Sequence, residues 1–354
     1  MKILLIKQTS LGDLIHSTLA IEAVKAQYPE AEIHFMVDKA CAFAVENNPH
    51  ISRFFYYDQQ KHFKRLRKNF LSVFSIAGEI LSELKKIRKY KYDLAIDLQG
   101  IERSVFYLYF CRAKRKFVKG RKPFLKGFKN ADIDDHALAE LKGTLKLAEI
   151  ECEDVFPKIY LHEPSSESLN GKLPENFRTA LNDSSKKLCV ISPYTSWETK
   201  DVPVNTWLKA AGLINSKEDS RFVFCATPDK RETLQKELDE HLPQFPDLAE
   251  KVLNFAGETN IQELLTLIGK SDLVLASEGA TGHMASALDT PLCVVFGPTK
   301  PSRVGPWGNK AKVIQSPDAS CLGCYKRTCD NWICMNFDPQ IIADAAIELW
   351  AKIQ

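Results

Sequence analysis

Three turns in this 354-residue chain combine residue types that bind charged ligands or serve group-transfer chemistry. The first is KQTSLGDLIHS, where a short apolar run ends at Lys7 and a polar turn leads to Asp13. Gly12 allows the backbone to approach a ligand closely. Asp13 suits a reacting carboxylate, and it equally suits a helix cap or dipole partner worth roughly 0.5–2 kcal/mol. The segment lacks the Gly-Lys-Ser/Thr ending of a phosphate-binding P-loop and the spaced glycines of a nicotinamide site. The second turn is SEGATGHMASAL, with Glu278, Gly279, Ala280, Thr281 and Gly282 ahead of His283. Small residues before a helix expose backbone N–H groups, which suits a diphosphate. His283 either donates to such a group or is a satisfied core histidine. The third is SPYTSWETKDVP, where Thr195 and Ser196 offer hydroxyls and Lys200 offers a cation for phosphate oxygens. A solvated loop lysine is the alternative reading of Lys200.

Each of these turns directly follows a short apolar run. MKILLIK precedes the first, and LIHSTLAIEAVKAQYP after it places Leu14, Ile15, Leu19, Ala20 and Val24 near helical spacing. AEIHFMVD and YDLAIDLQG read as further strands, residues 70–90 as an amphipathic helix, and 134–150 as another helix. After a Ser-, Pro- and Asn-rich stretch the rhythm restarts with KLCVISPY and VNTWLKAAGLINS. Strands alternating with helices predict parallel sheets covered on both faces. In such α/β sheets ligands bind beyond the carboxyl ends of the strands, where all three turns lie. Two doubly wound domains follow, with a phosphate-friendly second domain and a carboxylate on the first. That arrangement suits group transfer from a nucleotide donor in an interdomain cleft.

The length exceeds what one hydrophobic core usually supports. A net charge of +3 is too small to imply a nucleic-acid partner. The basic residues nevertheless concentrate in 61–129 (KHFKRLRK, KKIRKYK, CRAKRKFVKGRKPFLKGFK), which points either to an anionic ligand or surface or to solvated helix faces. No secretory signal is visible and no apolar stretch approaches the roughly 20 residues that span a bilayer. The expected location is cytoplasmic, where the ten cysteines stay mostly reduced. Four of them, Cys321, Cys324, Cys329 and Cys334, fall within a short run that begins as a C-x-x-C pair. That spacing reads as a structural zinc or iron site more readily than as disulfides or simple thiols, with an unfilled loop as the remaining option. Cys41, Cys111, Cys152, Cys189, Cys225 and Cys293 sit mostly in apolar runs and read as small core residues.

The opening KILLIKQTSLGDLIHSTLAI, then YDLAIDLQG, DDHALA, the loop around Lys200 and EGATGHMASALDTPLCVVFGPTKP occur in order along nearly the whole chain. Together they resemble the bacterial lipopolysaccharide heptosyltransferases of glycosyltransferase family 9. The resemblance implies the GT-B fold: an acceptor-binding domain over 1–165, a linker region at 166–186, and a nucleotide-sugar-binding domain over 187–337. A C-terminal helix at 338–354 is then free to pack back on the first domain. It implies an inverting transfer from ADP-heptose to an inner-core sugar, Kdo or heptose, on lipid A, with no metal or cofactor in catalysis. Asp13 becomes the general base; Thr195, Ser196 and Lys200 contact the donor diphosphate. Glu278 through His283 bind the donor's phosphates and sugar. On the acceptor side the resemblance implies Lys61, Lys64, Arg65, Arg67, Lys68, Gln99, Arg121 and Lys122, meeting carboxylates and lipid A phosphates. Some of these charges also suit peripheral contact with the inner face of the inner membrane. Cysteine-rich tails occur in part of the family, and a related protein-modifying branch binds iron there. This chain departs from the family's usual Asp-Thr/Ser-Gly with Glu278-Gly279-Ala280. The departure leaves open a protein-directed heptosyltransferase, a hexosyltransferase or a 2-epimerase of the same fold.

Overall fold

The apolar runs expected as strands pair into two separate parallel sheets of six strands each. The computed structural model describes every residue except Phe70, 121–128, 131–135, 184–185 and Gln354, and of Lys129 and Asn130 only the backbone. The chain divides into two compact units, Met1–Tyr160 and Leu161–Gln354.

In the first unit the strands are β1 (Lys2–Ile6), β2 (Glu32–Asp38), β3 (Ile51–Tyr57), β4 (Tyr92–Asp97), β5 (Ala113–Val118) and β6 (Lys129–Asn130). The helices are α1 (Leu11–Gln27), α2 (Gln59–Lys68), α3 (Ser72–Arg88), α4 (Glu102–Phe110) and α5 (Ala137–Leu147). Ile3, Leu4, Leu5 and Ile6 are wholly buried because β1 is central and helices cover both faces of the sheet. Ile3 sits in register with Ile33 on one side and Leu94 on the other. The strand order is β3-β2-β1-β4-β5-β6, so the order reverses between β1 and β4.

The second unit begins with α6 (Pro164–Lys172) and α7 (Glu175–Asn182), then β7 (Lys187–Ser192), α8 (Val204–Asn215), β8 (Ser220–Phe224) and α9 (Arg231–His241). It continues through β9 (Val252–Asn254), α10 (Ile261–Lys270), β10 (Leu273–Ser277), α11 (Ala280–Ala287) and β11 (Leu292–Val295). The last elements are α12 (Pro301–Val304), β12 (Ala311–Ile314) and α13 (Pro339–Ile353). Its order, β12-β11-β10-β7-β8-β9, is the first sheet's order repeated, with the reversal between β7 and β10. The two halves, similar only in rhythm as sequences, share one topology.

Two expectations change. The region 166–186, polar enough to suggest a linker, is largely helical and belongs to the second unit. The polar composition hides an apolar stripe at helical spacing: Phe177, Ala180 and Leu181 are buried on α7, and Leu169 on α6. Ser168 and Lys172 of α6 also reach the buried Glu263 of α10, at 2.5 and 2.7 Å. The final helix lies in the second unit's core. Ile342, Ala346 and Leu349 are buried there with Trp207 of α8, and the Trp350 indole N–H donates to Asp272 O at 3.2 Å. No helix among the described residues is long and apolar enough to cross a membrane.

Phe177→Ala should therefore lower the stability of the second unit by about 3–5 kcal/mol, read from the denaturant midpoint. A true linker would tolerate the change within roughly 0.5 kcal/mol.

Candidate active site

Both order reversals create a place where the loops leaving two neighbouring strands diverge, and ligands of doubly wound sheets bind at such switch points. In the first unit those loops follow β1 and β4. Ser10 precedes α1, and Asp13 lies in the helix's first turn. Ser10 makes no side-chain cap to the backbone; its hydroxyl instead donates to Asp13 Oδ2 at 3.3 Å. The buried Lys7 Nζ stands 3.5 Å from the same oxygen, while about half of the Asp13 side chain remains exposed. Burial alone would raise the Asp13 pKa, but Lys7, Lys119, His16 and the Ser10 hydroxyl together hold it below the ordinary carboxylate value. The carboxylate is thus ionised and partly accessible, which a simple cap does not require. For Lys7, burial outweighs the attraction of Asp13, and Lys119 adds repulsion, so its pKa falls.

Gln99, expected to touch an acceptor, has its amide committed to the turn after β1. Its Oε1 accepts from the backbone N–H groups of Gln8 (2.7 Å) and Thr9 (3.0 Å), and its Nε2 donates to Thr9 Oγ1 at 3.1 Å. Beneath it Asp97 is fully buried and accepts from Gln99 N, Gly100 N and Ser104 Oγ at 2.9, 3.1 and 2.7 Å. Burial pushes the Asp97 carboxyl up to about 6 against these hydrogen bonds. Gly100 has φ +68°, and a Cβ there would lie 2.0 Å from Lys119 O, so the loop after β4 requires glycine.

The expected basic cluster divides. On α2, Lys61, His62 and Arg65 converge on Glu79 of α3, the first two at 3.3 and 3.2 Å. Burial would raise the Glu79 pKa, but the hydrogen bonds from Arg65, His62 and Lys61 take it down to about 2. Lys64, Arg67 and Lys68 are exposed, and among the described residues none has an ion-pair partner. Arg121 and Lys122 lie outside the described residues.

In the second unit the diverging loops follow β7 and β10, and they bring together residues that are 78 positions apart. Lys200 Nζ pairs with Glu278 Oε2 at 2.9 Å, both side chains about nine-tenths buried. Thr299 Oγ1 donates to the same oxygen at 2.8 Å. Ser277 Oγ donates to Pro193 O at 2.8 Å and accepts from Val202 N at 3.0 Å, tying the two loops together. Thr195 Oγ1 and Trp197 close a tight turn, and Thr195 N donates to Asp201 Oδ1 at 2.7 Å. Burial, opposed by the Thr195 hydrogen bonds, raises the Asp201 pKa to about 6. Ser196 is exposed. Gly279 is the residue before α11, and a Cβ added there would meet Thr195 Cγ2 at 3.7 Å. Ala280 opens that helix, and a Cβ added to Gly282 would meet Leu292 and Val294 at 3.7 Å. Thr281 shares a 3.0 Å hydrogen bond with Ser192, and His283 stacks parallel to Trp307 with 6.0 Å between ring centroids.

A structural metal is not supported. Cys321, Cys324 and Cys329 are exposed, Cys334 is buried, and all are free thiols. Among the described residues no group of three or more His, Cys, Asp or Glu is arranged to hold a metal ion. Cysteine spacing sets how closely thiols follow each other, but backbone geometry decides whether they converge on a point. The Cys329 thiol instead donates to Asn331 O at 3.1 Å. Burial raises the Cys334 pKa, with the other three thiols adding to it. Of the six cysteines expected in the core, Cys41 alone is only partly buried.

Sequence reasoning missed Lys7, Lys119, Trp197, Asp201 and Thr299 as site residues. Lys7 and Asp201 had a visible signal, since each charge lies at a strand end or next to a candidate residue. Thr299 had none, because only the sheet places it beside Glu278.

The family model of glycosyltransferase family 9 (heptosyltransferase) matches residues 80–333. The lipopolysaccharide core heptosyltransferase OpsX of Haemophilus influenzae is 25% identical over 88% of this chain and 83% of its own length. Lipopolysaccharide heptosyltransferase 1 of Pseudomonas aeruginosa is also 25% identical, over 93% of this chain and 87% of its own. A glycosyl transferase family 9 structure from Veillonella parvula superposes with a TM-score of 0.80 at 16% identity, covering 99% and 97% of the two chains. The Escherichia coli heptosyltransferase WaaC, solved with ADP, gives 0.73 at 17% identity, covering 99% and 100%. These structural likenesses show a shared GT-B fold, with its two doubly wound sheets. The family match extends from α3 through the loop that holds Lys200 and the turn that holds Glu278, and the chain is a glycosyltransferase belonging to family 9.

Proposed function

We propose that this enzyme transfers a heptose from ADP-heptose to an inner-core sugar of lipopolysaccharide, Kdo or heptose, with inversion at the anomeric carbon. The observation that carries the reading is the Asp13 carboxylate, held ionised by Lys7 and Lys119 yet half-exposed at the first switch point. An acceptor hydroxyl attacks the anomeric carbon as Asp13 takes its proton, and the bond from that carbon to the diphosphate breaks to release ADP. A positioned general base contributes roughly 10²–10⁴ in rate. The second unit supplies the groups that bind the leaving diphosphate: Lys200, the hydroxyls of Thr195 and Ser196, and the backbone N–H groups at the start of α11. The donor is supported by the heptosyltransferase relatives and by WaaC structures with ADP and with ADP-2-deoxy-2-fluoro heptose. Glu278 holds the Lys200 ammonium through a buried contact that the usual shorter Asp would make differently, so it bears on which sugar is accepted.

The acceptor side is read from the first unit. Lys64, Arg67 and Lys68 suit the phosphates and carboxylates of a lipid A–Kdo acceptor, and Phe63, Leu71 and Phe74 of the same segment are exposed. Cations near an anionic leaflet contribute about 1 kcal/mol each, so the same face supports peripheral membrane contact from the cytoplasmic side.

Asp13→Asn should lower turnover by roughly 10²–10⁴ while ADP affinity by calorimetry changes less than about twofold; near wild-type turnover would remove Asp13 from the chemistry. Lys200→Ala should weaken ADP binding by roughly 10–100-fold, the loss of a charged hydrogen bond. An unchanged dissociation constant would place the diphosphate elsewhere. Because the Asp13 carboxyl sits below its ordinary range, kcat/KM should show no acid limb from it above about pH 4. Lys7→Met removes the nearest positive charge and should move that limb upward, while a limb at the wild-type position would show that Lys7 does not set it.

A further inference from the structure

The loop carrying the four cysteines is anchored at four points around the second switch point. Gly323 N donates to Gly297 O at 2.9 Å and Tyr325 N to Pro298 O at 2.7 Å, both in the segment after β11. Thr199 Oγ1 donates to Lys326 O at 2.8 Å, next to Lys200. The fourth contact is the Arg327 guanidinium, which lies 4.4 Å from the Trp197 ring centroid. Gly323 has φ +70°, and a Cβ there would come within 2.6 Å of the Lys300 side chain, so a tight turn delivers the residues that follow.

The Lys200 ammonium is 5.0 Å from the same indole and is already paired with Glu278. Glu278 offsets part of the ammonium's charge, so Lys200 serves a diphosphate chiefly as a hydrogen-bond donor and leaves room for a second cation. Arg327 is exposed. Among the described residues it has no carboxylate partner. Stacking on an indole holds a guanidinium plane in place while leaving its N–H edge free for bidentate contact with phosphate oxygens.

We propose that Arg327 is a donor-binding residue: the cysteine loop delivers its guanidinium to the diphosphate of the nucleotide sugar, adding positive charge to that of Lys200, which Glu278 partly offsets. Trp197 is then the platform that orients it. This rests on the nucleotide-sugar reading of the second unit.

The test is calorimetric titration of ADP into wild type, Arg327→Ala and Arg327→Lys at several ionic strengths, with thermal midpoints recorded alongside. The expected result is a loss of about tenfold or more in ADP affinity for Arg327→Ala, with a shallower salt dependence than wild type. Arg327→Lys should recover part of both. ADP affinity within about twofold of wild type in Arg327→Ala overturns the assignment. So does a loss with unchanged salt dependence, which would mean that Arg327 only supports the loop. Absence of ADP binding by the wild type would overturn the nucleotide-sugar reading as well, whereas a loss in Lys200→Ala alone leaves that reading standing and removes Arg327.

Discussion

The constraint on which the site depends is the reversal of strand order in each parallel sheet. A right-handed crossover must place its helix on one face of the sheet, so when successive strands are added on opposite sides of a central one, the two loops part. That parting occurs between β1 and β4 in one unit and between β7 and β10 in the other. Asp13, Gln99, Lys200 and Glu278 all lie on or directly after these four loops. The buried apolar strands matter to function because they hold those loops at fixed positions. Ile3 to Ile6 and Leu273 to Ala276 are fully shielded from water.

The two switch points solve the problem of buried charge in opposite ways. In the second unit a lysine and a glutamate neutralise each other at 2.9 Å, and a threonine hydroxyl satisfies a further lone pair. Removing one partner of such a pair strands an uncompensated charge, which is far costlier than the pair's own net contribution. In the first unit the charges are unequal. Lys7 is buried and disfavoured by burial, while Asp13 stays half-exposed and is drawn to its ionised form by the positive charges around it. In the second unit opposite charges balance each other, and the first unit keeps a partly exposed carboxylate.

The loop after β4 shows how a polar residue at a switch point serves positioning. Gln99 fixes the backbone of Gln8 and Thr9, and Asp97 in turn fixes Gln99 and Gly100. This chain of hydrogen bonds holds the turn leading to Asp13 in one geometry. The cysteine loop has a comparable place in the second unit. Its backbone contacts run to Gly297, Pro298 and Thr199, so its residues border the Lys200 turn although they are more than a hundred positions away in sequence.

Much of the fold and of the site is legible in the order of the residues alone. Unbroken apolar runs alternating with helical periodicity determined two parallel sheets, because a strand buried on both faces must be apolar throughout. The position of the polar turns directly after those runs determined where Asp13, Lys200 and Glu278 would lie. The family motifs determined the reaction class. Three matters were decided only by tertiary structure. The polar stretch 166–186 became helices because a few apolar residues at the right spacing found a surface to cover, which composition averages away. The four cysteines do not form a group arranged to hold a metal ion, because a linear spacing does not specify whether side chains converge on one point. The pairing of Lys200 with Glu278, and of Trp197 with Arg327, depends on strands distant in sequence lying side by side, and only the packed sheet supplies that proximity.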